Sequence, residues 1–367
     1  MSAAASPDDK APPKPAAAKS STPPAAAKPA DSKPASKADP TKVHMASAWK
    51  YARPLTSCRF DPTGTFVFAG TEDYTVQRFR RSDGSMTPLV GHESWCRAIA
   101  FTPDGKTTAT GGYDGKLILW PTAADKPAPL KVIAAHDGWI RAVAVSGDGK
   151  QVATCGNDHL VKLWNTADGK PIRTLTGHES HVYNLAFHPD GQRLLSCDLK
   201  AVCRVWNLAD GKCERDFAAA AIYKYDTQFR ADIGGARSLA FGDGGKLLAV
   251  GGVTNVTNAF AGIGNAAWVE IDFAAGKAKL THVGKDKVNG MAWGSAWHGD
   301  GYWIGAGGGG QGGALYFFKP GTEADFFSFK LPDMARGMDL AADGMNVAVA
   351  HADGNLRIYR LAAKDGG

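Results

Sequence analysis

Three stretches of the chain can be laid over one another without a gap: 91-GHESWCRAIAFTPDGKTTATGGYDGKLILW-120, 135-AHDGWIRAVAVSGDGKQVATCGNDHLVKLW-164 and 177-GHESHVYNLAFHPDGQRLLSCDLKAVCRVW-206. Each holds three short runs dense in Ala, Val, Leu and Ile, separated by Gly/Asp turns, which reads as strand, turn, strand, turn, strand. Working outward, a turn of the form x-D-G or P-T-G follows an apolar run at Gly64, Gly105, Gly149, Gly191, Gly245, Gly301 and Gly344. The spacings are 41, 44, 42, 54, 56 and 43 residues, so the chain is built of seven units. No segment keeps a helical period over three turns, and a repeat of this length built only of strands points to radial or stacked architecture.

These motifs resemble the WD-repeat β-propeller family over residues 44–367. The resemblance implies an all-β, seven-bladed propeller of four-stranded antiparallel blades. It also implies a buried polar network in each well-formed unit: His92, Thr110, Asp114 and Trp120 in the second, and His136, Thr154, Asp158 and Trp164 in the third. The fourth unit keeps His178, Ser196 and Trp206 but has Lys200 at the place of the turn Asp, so its network is expected to be incomplete. Units one and seven keep only the turn Asp (Asp73, Asp353), with Phe79 and Tyr359 in the Trp place, and units five and six lack the network. His, Ser/Thr and Asp in series look like a hydrolase triad. Recurrence at equivalent buried places, ending on an indole N–H, is instead the mark of a structural network, because a nucleophile needs exposure and an oxyanion hole.

Residues 1–43 are of another kind. Ala, Pro and Lys account for 13, 9 and 7 of them, with four Asp and no aromatic residue, so they carry +3 of the chain's +6. A segment with so little to bury is expected to be a disordered, extended tail. Only eight residues follow Tyr359, too few for a turn and a full outer strand. The seventh blade therefore needs a strand from elsewhere, and residues 44–51 are expected to supply it and close the ring.

Composition narrows the function. The longest apolar runs fall far short of a membrane span, and there is no apolar signal segment before Trp49. Six scattered cysteines without a CxxC pair suggest neither zinc nor a disulfide framework, which points to a thiol-reduced, cytoplasmic protein. The histidines show no metal spacing, and no cofactor is expected. The run Gly305–Gly313 is not followed by GK[ST] or a helix, so it reads as an open loop and not a phosphate cradle.

The candidate site comes from alignment of the inner strands. Thr56, Arg97, Arg141, Tyr183, Arg237, Asn289 and Arg336 fall in one column, and four of the seven are Arg. Two positions earlier stand Pro54, Trp95, Trp139, His181, Gly235, Lys287 and Met334. Arg beside Trp is the mixture enriched at interface hot spots. The strand order that the resemblance implies puts this column on one face, the top, together with the extra residues of Ala218–Gly235, Thr254–Ala266 and Gly307–Gly313. Trp95, Arg97, Trp139, Arg141, His181, Tyr183, Arg237 and Arg336 are therefore the candidate binding residues, suited to an acidic or disordered segment of a protein partner. The expected work is that of a non-catalytic interaction scaffold. The alternatives are a nucleic-acid-associated protein using the basic tail, for weak contacts, together with the top-face Arg ring, and a propeller enzyme with a site in the central channel.

Overall fold

The computed structural model describes residues 37–258 and 263–364. They form seven four-stranded antiparallel sheets and one two-stranded hairpin, and no α-helix occurs among them. In blades one to six the strands run in chain order from the axis outward, starting at Leu55–Phe60, Cys96–Phe101, Ile140–Val145, Val182–Phe187, Ser238–Gly242 and Met291–His298. The chain is thus a seven-bladed β-propeller. Its tight turns follow the sequence signal. In the second and third blades Asp104 and Asp148 each accept the backbone N–H two residues on, at 3.0 Å, and Gly105 and Gly149 then take φ of 68° and 73°. A side chain would strain that left-handed backbone.

Blade seven is composite. Its inner three strands are Ala335–Leu340, Asn346–His351 and Asn355–Leu361, and its outer strand is Val43–Lys50, paired antiparallel with Asn355–Leu361. Packed chain begins before residue 44: Pro40 is buried, and the Asp39 N–H bonds to the Leu361 carbonyl at 2.8 Å. Beyond its last strand residue the closing segment reaches blade one, where the Tyr51 hydroxyl donates to Asp73 at 2.7 Å. The rest of the expected tail lies outside the described residues.

Blades adhere through one recurring contact. Trp120, Trp164 and Trp206 each leave the third strand of their blade and pack against the preceding one, Trp120 for example against Phe66, Phe68, Val76 and Leu89. Phe79, Ile271 and Tyr359 do the same in blades one, five and seven, and Tyr316 with Phe318 in blade six. Each such side chain removes roughly 1.5–3 kcal/mol worth of apolar surface from water.

The polar network orients these indoles. In blade two the Trp120 N–H donates to Thr110 Oγ1 at 2.8 Å, Thr110 bonds His92 Nε2 at 2.8 Å, and His92 Nδ1 meets Asp114 at 3.0 Å. Blade three repeats it with Trp164, Thr154, His136 and Asp158 at 2.9, 2.7 and 2.8 Å. Blade four corrects the expectation of an incomplete network. His178 meets Asp198 at 3.0 Å, while Ser196 links His178 to Trp206 at 2.7 Å on either side. The strand place of Asp198 is held by glycine in the other two blades. A Cβ on Gly112 would fall 2.4 Å from both His92 Nδ1 and the Asp114 carboxylate, so glycine there leaves room for an Asp reaching back from the turn. Asp198 fills that room itself and frees position 200 for lysine.

Two further expectations change. Cys197 and Cys203 are disulfide-bonded, because the register puts them directly opposite on adjacent strands; the other four cysteines are free. Gly305–Gly313 is not an open loop but most of a hairpin, Tyr302–Gly309 with Gly312–Phe318. Its glycines serve close backbone approach, since a Cβ on Gly308 or Gly309 would lie 2.6 Å from Ala335 N or 2.1 Å from Asn289 O. In place of the motif network, blades five and six share a buried network of different residues. Fully buried Glu270 accepts from the Trp303 indole at 2.8 Å and the Gly321 N–H at 3.2 Å and meets His282 at 3.3 Å, which ties blade five to blade six.

Two outcomes check this account. Removing residues 1–36 should leave stability unchanged, whereas removing 1–50 should lower it by at least about 3 kcal/mol, from lost burial and ladder bonds, in chemical denaturation. Asp198→Gly should cost about 3 kcal/mol by leaving His178 unpaired in the core, and adding Lys200→Asp to it should restore most of that loss.

Candidate functional site

The column of candidate residues forms because the inner strands share an irregularity. The register of inner and second strands slips by one residue between Leu55 and Ser57, Cys96 and Ala98, Ile140 and Ala142, Val182 and Asn184, and Ala335 and Gly337. The residues passed over are Thr56, Arg97, Arg141, Tyr183 and Arg336. A bulge re-aims a side chain, and these bulges bring Arg97, Arg141, Tyr183 and Arg336 to the wall of an axial cavity of about 440 Å³. In blade five Arg237 stands just ahead of Ser238 and reaches the same cavity. Blade six corrects the alignment: its slip lies between Ala292 and Gly294, so Trp293, not Asn289, lines the mouth. Asn289 lies before the strand, bridged to Asn265.

Cations and rings alternate around this mouth. The Arg97 guanidinium lies 4.6 Å from the Trp293 ring, Arg237 4.3 Å from Tyr183, and Arg141 4.4 Å from the same Tyr183 ring. Arg141 also covers Trp139 at 4.7 Å and Tyr113 at 5.3 Å, and the Tyr113 and Trp139 rings stack at 4.3 Å with 2° between their planes. The bonding of the four arginines is unequal. Arg336 is paired with the Glu72 carboxylate. Arg97 donates to the Arg336 carbonyl at 3.2 Å, and Arg141 to Asn157 at 2.8 Å and the Tyr113 hydroxyl at 3.3 Å. Among the described residues no carboxylate pairs with Arg97, Arg141 or Arg237, and the Arg237 Nε is buried without a hydrogen-bond acceptor. Burial, and then the like charges around them, hold the guanidinium pKa values of Arg97 and Arg237 below the usual range.

The rest of the candidate set forms the rim. Trp95 and Trp139 are 40% and 43% exposed, high for indoles, and His181 donates to the Asn157 carbonyl at 2.7 Å. The extra residues of blade five stand beside it. Tyr223–Asp226 and Ala231–Gly234 pair as a hairpin, tied through Lys224 to the Val256 carbonyl at 2.9 Å, with Tyr225 and Phe229 exposed. Sequence alignment of the inner strands missed Glu72, Tyr113 and Asn157, which bond the arginines of the mouth. The signal was present: each directly precedes the turn Asp of its unit. At the far end of the inner strands the charges are matched, Arg59 to Asp339 at 2.9 Å. Among the described residues Asp339 is the sole carboxylate lining the cavity, and it also accepts the Phe60 N–H at 2.8 Å. Among the described residues no three His, Cys, Asp or Glu side chains gather to hold a metal ion, and no helix is long and apolar enough to cross a membrane.

Comparison with known proteins places the repeats. A family model described as "WD domain, G-beta repeat" matches residues 47–79, 84–121, 127–165 and 169–207, which carry blades one to three and the inner three strands of blade four. The chain is 33% identical over 89 residues to the Serine-threonine kinase receptor-associated protein of Bos taurus, covering 24% of each chain. It is 33% identical over 79 residues to the Nuclear distribution protein PAC1 of Arthroderma otae, covering 20% of this chain and 17% of that one. The matched stretch thus spans a quarter or less of these relatives.

Proposed function

We propose that this chain, which belongs to the WD-repeat β-propeller family, is a non-catalytic platform that binds an acidic or disordered segment of a protein partner across the top of the ring. The observation that carries the reading is the mouth of the axial cavity, where Arg97, Arg141 and Arg237 stand half-buried among aromatic rings without a carboxylate between them. Charge so placed recognises an anionic ligand, and exposed Trp95 and Trp139 supply rigid apolar area around it. A rigid ring with irregular loops on one face is a binding surface by construction. The names of relatives lend support: one is called receptor-associated and another a distribution protein. The channel wall supports a non-catalytic role, because its one carboxylate is already engaged by Arg59.

The test is affinity capture from nuclease-treated lysate with the full chain and with a variant carrying Arg97→Glu, Arg141→Glu and Arg237→Glu, both shown to fold by thermal melting. A partner retained by the first and lost by the second is expected. Equal capture by both would move the binding surface off the top face. The nucleic-acid alternative makes a different forecast: affinity for duplex DNA should fall steeply between 50 and 200 mM salt, about in proportion to the phosphates neutralised.

A further inference from the structure

The mouth of the cavity has more positive charge than its protein surroundings neutralise, and it has it at one end only. Four arginines line the cavity near the top, and Glu72 pairs with one of them. At the bottom, Arg59 and Asp339 cancel. The three remaining guanidiniums are also held in place. Trp293 lies between Arg97 and Arg237, at 4.6 and 6.0 Å, and Tyr183 between Arg237 and Arg141, at 4.3 and 4.4 Å. Shared rings keep the cations apart and orient their planes, but a ring face takes up none of the N–H donors along the guanidinium edge.

Those donors are under-used. Each guanidinium has five N–H groups. Among the described residues Arg97 makes one hydrogen bond, to the Arg336 carbonyl, Arg141 makes two, and Arg237 has the Tyr183 side chain against it while its Nε is buried with no acceptor. Grouping like charges away from bulk water is costly unless a counter-charge joins them. A carboxylate offers one charge and two oxygens. A phosphoryl group offers between about −1.5 and −2 and three acceptor oxygens, which suits three forked donors arriving from different blades.

We infer that the top mouth of the axial cavity is a seat for one phosphoryl group, held by Arg97, Arg141 and Arg237. This deepens the reading of the top face as the binding surface and rests on it. The group comes either on a small phosphate ester or on a phosphorylated side chain of the partner segment; the seat's chemistry is the same for both.

The test titrates the full chain, in phosphate-free buffer at constant ionic strength, with inorganic phosphate, O-phosphoserine and acetate, followed by calorimetry and by tryptophan fluorescence. One phosphate per chain should bind, at least about tenfold more tightly than acetate. Arg97→Gln and Arg237→Gln should each weaken phosphate about tenfold or more, the loss expected for a charge-assisted hydrogen bond. Arg59→Gln, at the other end of the cavity, should leave phosphate binding unchanged. Phosphate binding no tighter than acetate, or unaffected by Arg237→Gln, overturns the inference. Should the glutamine variants fail to fold, Arg237→Lys keeps the charge without the fork, and the wild-type preference for phosphate over acetate decides the matter without any variant.

A capped Asp-Glu-phosphoserine-Asp-Glu peptide separates the two sources. Binding tenfold tighter than O-phosphoserine assigns the group to a protein segment, and equal or weaker binding assigns it to a small ester. The two readings fail separately. Protein capture without phosphate binding refutes the seat and keeps the platform, and phosphate binding without protein capture does the reverse.

Discussion

Closure of the ring is the constraint on which the other features depend. Val43–Lys50 pairs with the last strand, so the first and last strands among the described residues complete one sheet. Without that pairing, blade seven would end on an open edge and blades one and seven would lose the contacts of Tyr51 with Asp73. With it, each blade's indole, or its substitute, meets a preceding blade, including Phe79 of blade one against Ala348 and Leu356 of blade seven. Closure also aims the inner strands at a common axis. A column of residues that are distant in sequence becomes a ring only under that condition.

The inner-strand bulge turns the ring into a site. It occurs in blades one, two, three, four, six and seven at the same height, just inside the top entrance. At that height the passed-over residues in successive blades place guanidiniums beside rings. Arg–aromatic stacking lets cations crowd without direct contact, while burial depresses their pKa values and raises the cost of leaving them without an anion. The bottom of the same cavity shows the contrast. There an Arg–Asp pair and a backbone N–H use up the charge, and nothing remains to recognise a ligand.

How much of this was legible depended on how local each signal was. The blade count, the turn glycines and the networks of blades two and three follow from residues at fixed spacing. So did the Arg97 and Arg141 column, because the repeats around them align without gaps. The network of blade four was read as broken because the motif has Asp at position 200's place; its carboxylate comes from Asp198, two residues earlier, where the sister blades have glycine. Trp293 was missed because blade six starts its strand later than alignment by length suggests. Glu270 belongs to no motif, and nothing in the sequence pairs it with Trp303.

The sequence by itself determined the strand repeats, the turns and the apolar faces, because a strand period of two and a φ above zero at glycine are settled within a few residues. The tertiary structure alone decided which charges are left without partners. Glu72 and Arg336 are 264 residues apart, and Arg59 and Asp339 are 280 apart, yet each pair is in contact. The alternation of Arg97, Trp293, Arg237, Tyr183 and Arg141 is likewise assembled from five blades. Charge balance in a closed ring is a sum over neighbours in space, and a chain read in one dimension does not contain that sum.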